Sequence, residues 1–482
     1  MIRFGTVFNS LGKILLLVDI GLMFPLLWSI ATGGEDLFSF ILTALIYGVL
    51  GGGLVFFAKN DGNIRAKEGY LIVSLTWIVV SLIGALPFFL SGTFTDYSSA
   101  FFETMSGFTS TGGTAMADVE AASQELLLWR ALTQWLGGLG VVVLFVAVLT
   151  QVDTGGSSML RAELSGPLNE KVASHIQDMA IILWLIYTVL TAILTVLLML
   201  GDMSFFDAIC HAFATMATGG YSTYNDSVAH FNSPYIEWVI TLFMFIGGMN
   251  YPLMYKVFVK RKFSLLRKNE EFRLYFIVVL AAILLVFLDL MINRGGNLST
   301  NLRGAAFQVV SQITTTGFVT ENFDLWPTAA HVTILCLMMV GACYSSTSGS
   351  IKIGSYVIFY KSLKSQTFRL LHPRAMTQTK VNGKVVDEKT ILRVLIFMLL
   401  FYLLAAVGSI LLAFTGVVFD EAIAACMSAI SNTGPALGSL GAVGNYSEVP
   451  AAGKWILSIL MLAGRLELYT FFIIFVPAFW RR

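Results

Sequence analysis

Apolar residues run through this chain in long unbroken blocks. Leu37 to Ala58, Gly69 to Thr95, Ala131 to Val152, Met179 to Gly201 and Val394 to Phe419 are uncharged over 22 residues or more. Leu325 to Ile351 is interrupted only by His331, and Trp238 to Tyr255 is shorter but sufficient. Ile14 to Gly34 carries Asp19, Leu274 to Asn293 carries Asp289, and Trp455 to Trp480 carries Arg465 and Glu467. A helix crosses the hydrocarbon core with about 20 mostly apolar residues, and a helix satisfies its own backbone there. The pattern predicts ten transmembrane helices in an all-α integral membrane protein. The blocks are continuous and do not alternate, which argues against a transmembrane β-barrel.

Between the blocks one short pattern recurs four times: Ser110-Thr111-Gly112-Gly113-Thr114, Ala217-Thr218-Gly219-Gly220-Tyr221, Thr315-Thr316-Gly317-Phe318 and Asn432-Thr433-Gly434-Pro435. Aligned on Gly112, Gly219, Gly317 and Gly434, the copies lie 107, 98 and 117 residues apart. A moderately apolar segment too short to span precedes each copy: Ala100 to Thr109, Asp207 to Met216, Arg303 to Thr314, and Glu421 to Ser431. A full span precedes each segment and another follows each motif. The repeating unit is therefore span, re-entrant helix, Thr-Gly turn, span. Residues 1–67 hold two extra N-terminal helices, and the repeats occupy 68–175, 176–270, 271–390 and 391–482.

Irregular backbone at membrane depth is tolerated where it is buried or lines a wet cavity. Glycine takes backbone conformations closed to other residues and leaves its carbonyl unobstructed. Four such turns around a pseudo-fourfold axis would offer carbonyl oxygens to a dehydrated cation. The short helices would aim their partly negative carboxyl ends at the same axis. The candidate binding residues are thus Ser110, Thr111, Gly112, Ala217, Thr218, Gly219, Thr315, Thr316, Gly317, Asn432, Thr433 and Gly434. A single Thr-Gly in an apolar run is a helix bend or a close helix contact; four copies at matched positions are not explained that way.

Composition agrees. Of the 482 residues 56% are hydrophobic and 12% charged, and the mean hydropathy is +0.78. A formal net charge of +1 gives no support to nucleic-acid binding. Basic residues set orientation. Lys59, Arg65 and Lys67, the cluster from Lys256 to Arg273, the cluster from Lys361 to Arg393, and Arg481 and Arg482 fall on one side if both termini are cytoplasmic. Asp118, Glu120, Glu125, Asp226, Glu321, Asp324 and Glu448 fall on the other, with Arg294 and Arg303 as exceptions. Trp129, Tyr235, Trp238, Trp326 and Trp480 read as interface anchors. Asp19 and the lack of a small-residue cleavage site argue against a signal peptide. Cys210, Cys336, Cys343 and Cys426 lack metal or disulfide spacing and read as packing residues. The five histidines have no ligand spacing, and the spans hold no catalytic constellation, so the reading is a transporter, not an enzyme.

The four motifs, the run Gly341-Ala342-Cys343-Tyr344-Ser345-Ser346-Thr347-Ser348-Gly349-Ser350-Ile351-Lys352, and Gly464-Arg465-Leu466-Glu467 together make the whole chain resemble the TrkH/TrkG-type bacterial potassium uptake proteins of the Trk/Ktr/HKT superfamily. The resemblance implies a potassium ion as substrate, no covalent cofactor, and a multi-pass inner-membrane location. It also implies a homodimer among membrane lipid, regulated by a cytoplasmic nucleotide-binding protein of the TrkA type. Glycine at the first filter position in all four repeats implies potassium over sodium. The turns lack the longer TVGYG pattern, so fewer carbonyl rings are expected than in tetrameric potassium channels.

The Gly- and Ser-rich run can break its span into a loop. The resemblance makes that loop, with Gly341, Ser345, Ser346, Thr347, Ser348, Gly349, Ser350 and Lys352, a gate beneath the filter. Arg465 lies near mid-depth, where a charge costs at least about 2.5 kcal/mol and faces a wet interior. The resemblance makes it a positive barrier beside that gate. The residues do not distinguish a channel from ion-coupled symport. A broken-helix transporter with a midplane substrate site is the alternative, and it would show two related halves where this chain shows four quarters.

Overall fold

The computed structural model describes residues 2–59, 64–149, 172–375 and 377–481. The end of the expected span to Val152, most of the expected junction before repeat 2, and Arg482 lie outside the described residues. Helices α1 (Phe4–Thr32) and α2 (Leu37–Phe57) form an N-terminal hairpin. Their backbones meet at two glycines: a Cβ on Gly12 would stand 2.7 Å from the Gly51 carbonyl oxygen. This gives the Gly51-Gly52-Gly53 run a packing role at its first residue.

Repeat 1 contains α3 (Ala66–Gly84), extended by a turn at Leu86–Leu90, the short α4 (Tyr97–Phe108) and α5 (Gln124–Leu149). Repeat 2 contains α6 (Val172–Met199), the short α7 (Phe205–Met216) and α8 (Pro234–Gly247). Repeat 3 contains α9 (Glu270–Asp289), the short α10 (Leu298–Ile313), α11 (Thr328–Met338) and α12 (Ile353–Leu371). Repeat 4 contains α13 (Glu388–Ala413), the short α14 (Phe419–Ser431) and α15 (Ala451–Arg465). The short helices have 12, 12, 16 and 13 residues. That is about 18–24 Å of rise, against a core of about 30 Å. Side-chain caps start three of them: Asp96 accepts from the Ser99 amide, Ser204 from Asp207 and Asn297 from Ser299.

Six described helices are long and apolar enough to cross a membrane: the N-terminal pair and the incoming span of every repeat, Lys67–Leu90, Ile181–Met199, Glu270–Arg294 and Glu388–Ala413. The outgoing spans of repeats 2, 3 and 4 are not continuous helices; the Gly- and Ser-rich run predicts the break in repeat 3, and the breaks in repeats 2 and 4 are additional. After α8 the chain bends by 100° into Tyr251–Val259, where Asn250 caps the new segment through the Leu253 amide at 2.9 Å and Pro252 lacks an amide hydrogen. After α11, a two-residue parallel ladder pairs Val340 with Ile351 and Gly341 with Lys352, so residues 342–350 leave the helix as a closed loop. After α15, Glu467 and Leu468 take positive φ (53° and 50°) before two short helical turns at Tyr469–Ile473 and Pro477–Trp480.

Several surface expectations change. Trp129 is fully buried, with its indole donating to the Gly84 carbonyl at 3.0 Å, and Trp326 is also buried, so neither is an interface anchor. Arg294 and Arg303, the basic exceptions on the acidic side, are ion-paired with Glu321 and Glu237. His211 is fully buried and satisfied between the Asp207 carbonyl and Ser222 Oγ. On the basic side, Lys361 pairs with Glu270 and donates to Lys380 O at 2.7 Å, tying α12 to a small hairpin, Lys380–Val381 with Lys384–Val385.

Candidate functional site

All four short helices end alike. One residue enters the left-handed region: Ser110 (φ 52°), Thr218 (52°), Thr315 (54°) and Asn432 (56°). Its amide bonds to the carbonyl three residues back, and the next amide to the carbonyl five residues back, at 2.8–3.2 Å in every repeat. This is a Schellman ending, which ordinarily uses glycine at the left-handed position; here it is Ser, Thr, Thr and Asn. Two residues later a glycine takes positive φ: Gly112 (87°), Gly220 (76°), Gly317 (78°) and Gly434 (98°).

This geometry corrects the register of the second motif. Thr218-Gly219-Gly220 matches Ser110-Thr111-Gly112, so the triplet Ala217-Thr218-Gly219 is one residue early. Ala217 keeps right-handed φ (−72°) at the helix end, as do Thr109 (−77°) and Thr314 (−83°). The doubled glycine is the cause: aligning on the Thr-Gly dipeptide selects the first, whereas the backbone turns at the second. The matched glycines lie 108, 97 and 117 residues apart. Glycine still occupies the matched position in all four repeats.

These glycines close a ring. A Cβ on Gly112 would overlap the Gly219 carbonyl oxygen, one on Gly220 that of Thr316, one on Gly317 that of Thr433, and one on Gly434 would meet that of Thr111. Each turn therefore abuts the next, and the fourth abuts the first. On one side the ring opens into a cavity of about 120 Å³ that all four glycines line, together with Thr114, Tyr221 and Tyr446. Tyr446 spans repeats 4 and 1: its hydroxyl donates to Gly434 O at 2.8 Å and its amide to Thr114 O at 2.7 Å.

Behind repeats 1 and 2 lies a buried ion pair. Arg130 Nε donates to Glu103 Oε1 at 2.7 Å, with the two side chains 3% and 0% exposed. Glu103 also accepts from the Ala115 amide (2.7 Å) and Thr114 Oγ1 (3.1 Å). Arg130 Nη1 donates to Ser222 O at 2.9 Å, and its guanidinium lies 3.9 Å from the centre of the Tyr221 ring. The buried carboxylate thus has a charged donor, a backbone amide and a hydroxyl as neighbours.

The loop 342–350 packs against the turns of repeats 2, 3 and 4 directly and is linked to repeat 1 through Arg465. Thr347 Oγ1 donates to Met216 O (3.1 Å) and Gly247 O (3.3 Å) of repeat 2. The Gly349 amide donates to Thr315 Oγ1 at 2.7 Å, and a Cβ on Gly349 would overlap Ser431 O of repeat 4. Arg465 is buried and joins the rest: Nη1 donates to Thr347 O at 2.8 Å, and Nη2 reaches Gly137 O at 3.3 Å and Ser110 Oγ at 3.4 Å in repeat 1. Ser346 Oγ bonds Cys343 O at 2.7 Å and Ser348 Oγ at 3.0 Å; Ser350 Oγ bonds Met338 O at 2.8 Å. Tyr251 N donates to the Ser345 carbonyl. Lys352 folds back so that Nζ bonds Ser348, which makes it an anchor of the loop. Gly341 sits at the neck, where a Cβ would overlap Gly349 O.

Residues 37–482 match the TrkH family, described as cation transport proteins. The chain belongs to the TrkH family of cation transport proteins. The Trk system potassium uptake protein TrkH of Salmonella typhimurium is 37% identical over 429 residues, 88% of either chain. The Trk system potassium uptake protein TrkG of Escherichia coli is 30% identical over 476 residues, 98% of this chain and 97% of its own. The crystal structure of the potassium transporter TrkH from Vibrio parahaemolyticus superposes with a TM-score of 0.91 over the full length of both chains, at 29% identity.

The TrkH-family fold here also uses residues outside the candidate filter and gate sets. Gly220 carries the second turn. Gly137 and Gly464 seat the turns of repeats 1 and 4, where a Cβ would overlap Phe108 O and Ile430 O. Glu103 did carry a signal, as the lone carboxylate in a segment otherwise suited to burial. Such a group needs a partner, and Arg130 stands just before the uncharged run that begins at Ala131.

Proposed function

We propose that this protein carries potassium across the bacterial inner membrane through a filter formed by its four glycine turns. A dehydrated ion would meet carbonyl oxygens from Ser110-Thr111-Gly112, Thr218-Gly219-Gly220, Thr315-Thr316-Gly317 and Asn432-Thr433-Gly434. The observation that carries this reading is the closed ring of matched turns, each glycine set against the carbonyl of the next repeat. Glycine at all four matched positions and relatives named for potassium uptake support potassium as the ion. The loop 341–350 is the gate, and Arg465 both fastens it and sets a positive charge against a passing cation. The chain works as a homodimer with both termini in the cytoplasm, where the basic segment from Lys361 to Arg393 receives a nucleotide-binding regulatory protein. The test is potassium uptake in a bacterial strain deprived of its own uptake systems, with and without a membrane potential. Growth and uptake at low potassium support the reading; expression in the membrane without uptake overturns it.

A further inference from the structure

The four turns differ chemically, and the odd one is repeat 2. In the other three, the residues flanking the left-handed position both carry hydroxyls, and these bond each other. Thr109 Oγ1 meets Thr111 Oγ1, Thr314 Oγ1 meets Thr316 Oγ1, and Ser431 Oγ meets Thr433 Oγ1, each at 2.8 Å. The link ties the end of the short helix to the turn. Repeat 2 has Ala217 and Gly219 at these positions, so the link is impossible. In its place Gln134 reaches across from α5 of repeat 1. Its Nε2 donates to Gly219 O at 2.6 Å and its Oε1 accepts from the Tyr221 amide at 3.1 Å, which spends both ends of a fully buried amide on one turn.

A Cβ on Gly219 would overlap the Gln134 amide, so a threonine there would push that amide off its two hydrogen bonds. Gln134 stands three residues before Gly137, and methionine takes the same spacing before the corresponding outgoing glycines: Met244 before Gly247, Met338 before Gly341 and Met461 before Gly464. Ser110 Oγ donates to Gln134 O at 3.3 Å as Asn432 Nδ2 donates to Met461 O at 2.9 Å, which matches the two positions through the left-handed residues of their own repeats. One interface has therefore exchanged a methionine and a hydroxyl pair for a glutamine and a glycine.

We propose that Gln134 is a positioning residue for ion discrimination, holding the repeat-2 turn in place of its missing hydroxyl pair. The inference rests on the ring being the potassium filter. Thr218 keeps a left-handed backbone, a conformation that costs about 1 kcal/mol or more and persists only where the surroundings enforce it. With Gln134 removed, that turn relaxes and the ring loses the spacing that replaces a hydration shell.

The test uses purified full-length protein in liposomes and measures rubidium-86 uptake in competition with potassium and with sodium. Three proteins are compared: wild type, Gln134→Met, and the triple variant Gln134→Met/Ala217→Thr/Gly219→Thr, which rebuilds repeat 2 on the pattern of the others. Gln134→Met should lower potassium-over-sodium discrimination by about tenfold, the scale of one net hydrogen bond, and the triple variant should recover most of it. A merely structural role would reduce the yield of folded protein and leave discrimination per molecule unchanged, and that result overturns the proposal. If Gln134→Met does not fold, the triple variant decides. Near wild-type discrimination supports the proposal; lost discrimination, or a triple variant that also fails to fold, overturns it. Wild-type protein without potassium preference would instead defeat the filter reading, on which this proposal stands.

Discussion

Replacing Arg130 by methionine strips the counter-charge from Glu103, whose side chain is 0% exposed. The carboxylate keeps the Ala115 amide at 2.7 Å and Thr114 Oγ1 at 3.1 Å, so its lone pairs are partly satisfied while its charge is not. Breaking a buried pair from one side costs about 3–5 kcal/mol. The Ser222 carbonyl loses its donor at 2.9 Å, and the Tyr221 ring loses its guanidinium at 3.9 Å. These terms overlap, so about 4 kcal/mol is expected for Arg130→Met. Glu103→Gln keeps the shape and strands the guanidinium instead, at about 3 kcal/mol. The double variant carries neither charge, and a neutral replacement of a buried pair is often nearly free of cost. With singles of about 4 and 3 kcal/mol and a double near zero, the cycle should show a coupling of about 7 kcal/mol. Denaturant unfolding of purified protein, followed by tryptophan emission, measures all four corners. Trp129 is adjacent to Arg130 and packs edge-on against Phe108 at 6.0 Å, which makes it a local reporter. Additive effects, or single variants within about 0.5 kcal/mol of wild type, would refute a pair that braces the ring.

Gly220→Ala should abolish uptake, because its φ is 76° and the new Cβ runs into the Thr316 carbonyl, whereas Gly219→Ala meets only the movable Gln134 amide and should be milder. Uptake assays in which Gly219→Ala is the more damaging of the two would restore the earlier register. Arg465→Ala should raise uptake per folded molecule, trimming Ser345 to Ser350 should raise it further, and the combination should fall short of the sum because both act at one constriction. A decrease in both variants removes the gate from this loop. Neutralising the basic residues between Lys361 and Arg393 should weaken capture of a nucleotide-binding cytoplasmic partner in a salt-dependent way; capture unchanged by the substitutions leaves those charges to membrane orientation alone.

The repeat architecture was legible because its signals are local. An apolar run states its own length, and a short segment with a Thr-Gly ending needs no distant partner to be recognised. The register of repeat 2 was not legible, because Gly219 and Gly220 are equivalent as letters and differ only in φ. The break in repeat 3 announced itself in the Gly- and Ser-rich run. The break in repeat 2 has Asn250 and Pro252, which a reading of hydropathy alone passes over. The break in repeat 4 falls at Leu466 to Leu468, where neither Gly nor Pro marks it. Gln134 shows a different limit. A polar side chain within an uncharged run is a visible oddity, yet its partners Gly219 and Tyr221 lie 85 and 87 residues away, and tertiary closure alone brings them together. Arg465 illustrates the reverse case, since its burial at depth was apparent from hydropathy while its three acceptors, Thr347, Gly137 and Ser110, were not.

The central claim is that four glycine turns select potassium, and flux ratios in liposomes test it most directly. Wild type, Gly112→Ser and Gly317→Ser are compared for potassium and sodium uptake under an imposed potential. Both glycines hold positive φ and abut the carbonyl of the next repeat, so an added side chain must displace the ring. Wild type should prefer potassium, and both variants should lose a large part of that preference while still carrying ions. A wild type indifferent to the ion, or an unchanged flux ratio in both variants, would contradict the claim.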